Sequence, residues 1–117
     1  MVKASKIEPN KKEIVDFTIE RLDYYVESLK RLILKNDEYK YYFHNNIVVH
    51  EYVRLKAFLN GEFAYNYLPH NAKQYLTEEE WKNILYSFGD NQETHYQIVR
   101  KMSDDIITVV KNKYTNF

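Results

Sequence analysis

The sequence predicts an all-α protein, a compact bundle of about four helices. Apolar residues recur at the spacing of helix faces along most of the chain, and only two glycines and two prolines interrupt its 117 residues. Residues typical of helix caps and stops stand where the periodic segments begin and end. A chain of this length favours one domain, which we place at 10–117 behind a short basic tail at 1–9.

The first predicted helix covers residues 11–35, with Asn10 as its N-cap. The polar run Lys35-Asn36-Asp37 is expected to end it. A broad apolar stripe of helical period marks the side that faces the core. The main members of this stripe are Val15, Ile19, Leu22, Val26, Leu29 and Ile33.

The second predicted helix covers residues 38–60 and stops at Gly61. We expect Tyr42 and Phe43 to lie in the core, because they fall on the apolar side of this helix. We expect Tyr41 to be exposed, because its helical phase points away from that side.

Two stretches in the middle of the chain carry weaker signals. The β-branched run at 47–49 also fits a short strand, although the pattern around it favours a helix. Residues 62–76 show no helical period, alternate aromatic with small or polar residues, and include Pro69. We therefore predict an extended aromatic loop at 62–76.

The third and fourth predicted helices cover residues 77–88 and 92–114. Thr77 and Glu80 have the spacing of a capping box, in which each side chain accepts a hydrogen bond from the backbone of the other residue. Asp90 offers a further cap before the last helix. The apolar residues of that helix are spaced three and four apart, at Val99, Met102, Ile106 and Val109.

The composition excludes several classes of protein. The chain has no cysteine, which rules out a disulfide framework, a thiol nucleophile and thiolate metal sites. Two glycines are too few for a glycine-rich phosphate loop. Seventeen basic and seventeen acidic residues leave no net charge, whereas nucleic-acid-binding proteins usually carry a basic excess. Because no apolar run spans a bilayer and the first residues do not resemble a secretory signal, we predict a cytoplasmic protein without a membrane partner.

The polar residues show no catalytic or metal-binding pattern. None of the histidines belongs to a His-x-x-x-His or Glu-x-x-His motif, and no serine lies in a Gly-x-Ser-x-Gly turn. We therefore predict no catalytic residue, no metal ion and no cofactor, and expect that the protein is not an enzyme. A metal or ligand site built from His50, His70 or His95 in separate elements is the remaining alternative of this kind.

Aromatic residues are unusually frequent, at 16% of the chain with twelve tyrosines. They concentrate at 39–46 and 63–70, and exposed tyrosines are common anchors of protein interfaces. We predict a non-catalytic protein–protein interaction module, a small inhibitor or regulator from a phage or other mobile element that binds and occludes a target protein. A homodimer is a further expectation, because two long amphipathic helices expose more apolar surface than a small monomer covers. The predicted protein-binding residues are Tyr41, Tyr65, Tyr67 and His70.

The alternative is a DNA- or RNA-binding transcriptional regulator. Two predicted helices around Gly89 would form a helix-turn-helix at 77–102, although the second of them begins with little positive charge. The basic tail and the residues after it would supply phosphate contacts. The nucleic-acid-binding residues predicted on this hypothesis are Lys3, Lys6, Lys11 and Lys12.

Overall fold

A computed structural model of the chain describes residues 6–63, 74–86 and 91–114, with only the backbone described at 85 and 86. It confirms the prediction of an all-α bundle of about four helices. Over its described part, the helix predicted at 77–88 consists of two elements, a short α-helix and a π-helix. In chain order the elements are α1 (Pro9–Leu34), α2 (Glu38–Leu59), α3 (Glu78–Trp81), the π-helix (Lys82–Tyr86) and α4 (Gln92–Lys113).

The long helices α1 and α2 pack antiparallel. Tyr25 contacts His44 near one end of the pair, and Arg21, earlier in α1, contacts Glu51, later in α2. Residues 47–49 are helical, so the alternative of a short strand there is wrong. No helix in the described ranges is long and apolar enough to cross a membrane.

The helix α4 runs in the same direction as α2. Its first turns meet the start of α2, where the Tyr41 hydroxyl lies 2.6 Å from the ring nitrogen Nδ1 of His95. Its end meets the end of α2, where the Tyr114 hydroxyl donates to the backbone carbonyl of Phe58 at 2.8 Å. The short α3 and the π-helix lie against this α2–α4 pair and lead the chain back toward the start of α4.

Residues in the left-handed conformation close α1 and α2 where the sequence predicts their ends. Asn36 has a φ of 55° and Gly61 a φ of 78°. At each turn two backbone N–H groups bond carbonyls of the last helical turn in the Schellman arrangement. α2 begins directly after the first of these turns, because the Asp37 side chain accepts a hydrogen bond from the backbone N–H of Lys40.

The caps of two helices differ from the prediction. α1 begins at Pro9, whose fixed φ suits the first turn and whose missing N–H would have no partner there. Asn10 therefore lies inside the helix, and its predicted role as the cap is wrong. α4 is capped by Asn91, whose side chain accepts from the backbone N–H of Thr94, and the predicted cap Asp90 lies outside the described residues.

The capping box that begins α3 is confirmed. Thr77 Oγ1 accepts from the Glu80 N–H at 3.1 Å, and Glu80 Oε1 accepts from the Thr77 N–H at 2.9 Å. Further along, the carbonyl of Ile84 in the π-helix accepts hydrogen bonds from Asn45 Nδ2 of α2 and from His95 Nε2 of α4. These two bonds join the π-helix to α2 and α4.

The core lies between the three long helices. On α4, Val99, Ile106 and Val110 are buried. Val109 is 50% exposed, so the prediction that it lies on the core side is wrong. The next residue, Val110, lies there instead. The predicted stripe on α1 forms the centre of the core, with no exposed surface at Val15, Leu22, Val26 and Leu29.

The aromatic residues near the start of α2 lie opposite to their predicted places. Tyr41 has no exposed surface, whereas Tyr42 is 50% and Phe43 58% exposed, so all three expectations are wrong. Tyr41 lies inside with its hydroxyl beside two acceptors of α4, His95 Nδ1 at 2.6 Å and the backbone carbonyl of Gln92 at 3.2 Å, of which its single hydrogen serves one at a time. A buried tyrosine needs such a partner. The turns of α2 carry aromatic residues on every side, so the helix alone does not reveal its buried face.

Candidate functional site

α1 and α2 expose a group of aromatic side chains along the pair that they form. On α1, Phe17 and Tyr24 are 56% and 59% exposed, and their spacing of seven residues places them on one helix face. On α2, Tyr39, Tyr42 and Phe43 are exposed within the first two turns. Large apolar side chains left together in solvent mark an interaction surface.

Ring contacts join part of this group into a continuous surface that crosses from α1 to α2. Tyr24 and Tyr25 meet edge to face with ring centroids 5.1 Å apart, and Tyr25 meets His44 in the same way at 5.2 Å. Phe43 lies beside His44, with 6.3 Å between the ring centroids. Edge-to-face packing is a favoured geometry for aromatic pairs, so these contacts stabilise one arrangement of the rings.

Two arginines lie over these rings. The guanidinium group of Arg21 is 5.7 Å from the ring centroid of Phe17 and 5.2 Å from that of Tyr25, so it connects the two rings. Arg31 lies 5.5 Å from the ring centroid of Tyr24. Such cation–π contacts attract the guanidinium to the ring face. We call the following residues the aromatic surface: Phe17, Arg21, Tyr24, Tyr25, Arg31, Phe43 and His44.

His44 is anchored within the aromatic surface by Ser28 of α1. Ser28 Oγ donates to the backbone carbonyl of Tyr25 at 2.7 Å, and the same oxygen lies 2.7 Å from His44 Nδ1. Because the hydroxyl has one hydrogen, His44 is the donor in the second bond and carries its proton on Nδ1. Burial and the charges of Lys40 and Arg31 lower the pKa of His44, so the ring is neutral at pH 7.

Arg21 is anchored by a buried carboxylate. Glu51 of α2 is 1% exposed, and its carboxylate lies 3.5 Å from Arg21 Nε and 3.6 Å from Arg54 Nη1. Burial raises the pKa of Glu51, and the two guanidinium groups act against this rise. The contact with Glu51 holds the Arg21 guanidinium beside the rings of the aromatic surface.

The acidic residues in the middle of α1 lie toward α4. Asp23 and Glu27 bind Arg100 of α4, with nitrogen–oxygen distances of 2.9 and 3.0 Å. These ion pairs hold two α1 carboxylates against α4, whereas Arg21 and Arg31 stay beside the rings. The aromatic surface therefore combines exposed rings with positive charge.

The residues predicted to bind a protein lie elsewhere. Tyr41 has no exposed surface and is not accessible to a partner in this structure. Tyr65, Tyr67 and His70 lie outside the described residues, and so does Lys3 from the nucleic-acid alternative. For these four residues the predicted roles stay predictions.

The other lysines of the nucleic-acid alternative lie at the start of α1 and just before it. Lys6 is exposed, Lys11 pairs with Glu8 at 3.5 Å, and Lys12 pairs with Asp16 at 2.8 Å. Each pair reduces the net positive charge that this end of α1 offers to phosphates. The helix-turn-helix at 77–102 stays a prediction.

Sequence reasoning missed Phe17 and Tyr24 because both lie outside the apolar stripe of α1. The signal that identifies them is their spacing of seven residues, which puts two aromatic side chains on one helix face away from the core. Arg21 stands four residues from both Phe17 and Tyr25, and this spacing within α1 is the sequence signal for its place beside the two rings. Arg31 follows Tyr24 by seven residues on the same helix.

Comparison of the chain with protein-family models, with curated proteins and with solved structures finds no match. The part of the chain that the structure describes holds no group of three or more metal-ligating side chains. His95, one of the histidines considered as a ligand, has its two ring nitrogens bonded to Tyr41 and to the carbonyl of Ile84. A functional conclusion therefore depends on the aromatic surface.

Proposed function

We propose that this protein is a non-catalytic interaction module that binds a target protein through the aromatic surface. The observation that carries the proposal is the continuous run of rings and guanidinium groups that leads from Phe17 on α1 to Phe43 on α2. Tyrosine and arginine are enriched among the residues that dominate the binding energy of protein interfaces. Their side chains give a large contact area for a small loss of conformational entropy.

The partner that fits this surface presents an apolar patch edged by acidic residues. The exposed rings of Phe17, Tyr24 and Phe43 would pack on the apolar patch, and Arg21 and Arg31 would meet the carboxylates. The planar guanidinium group binds a carboxylate through two hydrogen bonds, which a lysine cannot do. Complementary charge also speeds association and selects among partners.

Several contacts hold the aromatic surface in place before a partner binds. His44 is bonded to Ser28, and Arg21 lies between the buried carboxylate of Glu51 and the ring of Tyr25. Side chains that are already held lose less freedom on binding, so more of the contact energy contributes to affinity. This supports recognition by a largely rigid surface.

Binding without catalysis affects a target by covering part of it. We extend the proposal to a small inhibitor or regulator that occludes its target in this way. The composition, rich in lysine, asparagine and tyrosine, is typical of AT-rich coding sequences such as those of many phages and other mobile elements. This composition supports a search for the target in a low-GC bacterium.

The test is affinity capture from a nuclease-treated lysate of a low-GC bacterium with three versions of the chain. The wild type is compared with Tyr24→Ala/Phe43→Ala, which removes two exposed rings of the aromatic surface. The matched control is Leu34→Ala, which removes a side chain that is 81% exposed and lies outside the aromatic surface. We expect one protein to be retained by the wild type and the control and to be lost with the aromatic double variant.

Titration with the purified partner then measures the effect. Removal of two central anchors should weaken binding by about 100-fold or more. Equal retention of the partner by all three versions would contradict the proposal.

Two other outcomes would identify a different partner. Retention that nuclease abolishes would favour the nucleic-acid alternative instead. A dimer seen by light scattering that only the aromatic double variant dissociates would identify the partner as a second copy of the chain.

A further inference from the structure

A cavity of about 350 Å³ lies among α2, α3, the π-helix and α4. Tyr52 and Lys56 line it from α2. Tyr52 follows Phe43 by two and a half helical turns, which places the two side chains on opposite faces of α2. The cavity is therefore separate from the aromatic surface.

The floor of the cavity is apolar. Met102, Ile106 and Val109 line it from α4, and the ring of Tyr52, which is 4% exposed, closes it on the side of α2. The volume lies at the lower end of the range for small-molecule sites. Its size and floor suit a short aliphatic stem.

One carboxylate in the cavity wall is already saturated with hydrogen bonds. Glu80 accepts from the Thr77 N–H at 2.9 Å, from the Tyr52 hydroxyl at 2.5 Å and from Lys56 Nζ at 3.0 Å. Burial acts to raise the pKa of Glu80, but these hydrogen bonds outweigh it and the pKa is lowered. Glu80 therefore stays ionised and neutralises the charge of Lys56.

Two further carboxylates line the cavity without a cation of their own. Glu79 from α3 and Asp105 from α4 are both exposed, and no basic side chain among the described residues pairs with either. Asp105 lies close enough to Tyr52 to raise the pKa of its hydroxyl, so its charge acts on the cavity. After Lys56 and Glu80 cancel, the lining is negative.

We propose that this cavity binds an organic cation, an ammonium or guanidinium group carried on a short apolar stem. The stem packs on Met102 and Ile106, and the cationic group lies between Glu79 and Asp105. The ion supplies the positive charge that the lining lacks, whereas an anion of the same size is repelled. Free amines and the side chains of lysine or arginine share this chemistry. The site does not depend on the aromatic surface or on its proposed partner.

The test is an NMR titration of the full chain with hexylammonium, and with 1-hexanol and hexanoate as neutral and anionic probes of the same stem. We expect saturable shifts at the methyl groups of Met102 and Ile106 with hexylammonium, weaker shifts with hexanol and none with hexanoate. A blocked Leu-Lys-Leu peptide is titrated in parallel. Binding of hexylammonium assigns the site to free amines, and binding of the peptide alone assigns it to a basic side chain.

Carboxylate variants test the role of charge. Glu79→Gln/Asp105→Asn should weaken binding of the cation by about three- to tenfold, the range expected of exposed ion pairs. Glu13→Gln/Glu93→Gln removes two exposed carboxylates outside the cavity and should leave the affinity unchanged. The single variant Asp105→Asn gives the same comparison if the double variant is unstable. Absence of binding by both cations, equal shifts with hexanoate, or unchanged affinity in the carboxylate variants would overturn the proposal.

Discussion

Two faces of α2 carry similar residues in opposite environments. On the inner face, Tyr41 has no exposed surface and its hydroxyl bonds His95 of α4. On the outer face, the next two residues, Tyr42 and Phe43, leave half or more of their surface in solvent. Successive residues of a helix differ in direction by about 100°, so one turn carries both a core tyrosine and a surface tyrosine.

The difference shows that hydrophobicity alone does not select the buried aromatic residue. Phe43 is the more apolar residue, yet Tyr41 lies inside, because the interior offers its hydroxyl a ring nitrogen of His95 and the carbonyl of Gln92. A phenylalanine at position 41 would leave His95 Nδ1 and the Gln92 carbonyl without the hydroxyl as a hydrogen-bond donor. The rings of Tyr42 and Phe43 leave half or more of their surface in solvent, which is consistent with a role in binding.

The largest expected effect is a difference in the free energy of unfolding between alanine variants of the two faces. Tyr41→Ala should lower the free energy of unfolding by about 3–5 kcal/mol, because it opens a cavity and removes buried hydrogen bonds. Tyr42→Ala, one residue along, should change it by no more than about 0.5 kcal/mol, because its side chain is half exposed. Urea unfolding measures both values, and similar losses in the two variants would contradict the assigned faces.

A smaller change isolates the hydroxyl of the inner tyrosine. Tyr41→Phe keeps the ring but removes the hydroxyl, whose one hydrogen is shared between His95 Nδ1 and the Gln92 carbonyl, and should lower the free energy of unfolding by about 1–3 kcal/mol. Tyr39→Phe, at an 80% exposed tyrosine of the same helix, is the matched control and should be close to neutral. If Tyr41→Phe is as stable as the wild type in urea, the hydrogen bonds do not explain the burial of this tyrosine.

The smallest expected effect is a dependence of stability on pH. Burial lowers the pKa of His95 from its ordinary value of 6.5, although the bond to the Ile84 carbonyl acts the other way. The folded chain therefore binds fewer protons here than the unfolded chain. The contribution of His95 to stability is fully present above about pH 6.5 and decreases as the pH falls below it. Glu51, whose pKa is raised, contributes with the opposite sign, since its stabilisation is lost as the pH rises through its folded-state pKa.

The variant His95→Gln separates these contributions, because Glu51 is the same in both proteins. The variant should be less stable at pH 7.5, but its free energy of unfolding should fall by about 1 kcal/mol less than that of the wild type between pH 7.5 and 5.5. Urea unfolding at the two pH values gives the comparison. An identical decrease in both proteins would show that His95 is not held neutral by the fold.

Features set by short-range signals were predicted correctly. The stripe on α1 forms the core, the Thr77 and Glu80 capping box is present, and Gly61 ends α2. Each of these depends on residues a few positions apart, whose spacing is visible in the sequence. The cap of α1 was missed because Pro9 is an equally good helix start and lies one residue earlier.

Most residues of the candidate site were not identified from the sequence. The tyrosine excess indicates an interface, but the tyrosines selected for it include the buried Tyr41 and omit Tyr24. The stacking of Arg21 on Tyr25 follows from their spacing of four residues on α1, whereas the contact of Arg21 with Glu51 exists only when α1 and α2 are packed together. Spacing along one helix therefore identifies which residues share a face, and not what that face contacts.

Local patterns along the chain were sufficient for the helical class, the number of long helices and the places where they end, because caps, stops and periodicity act over a few residues. Tertiary packing decided which tyrosine of α2 is buried and how the Ile84 carbonyl joins the π-helix to α2 and α4. The bond between Tyr41 and His95 joins residues 54 positions apart, and such a contact exists only after the helices have assembled. The aromatic surface is what that assembly leaves exposed.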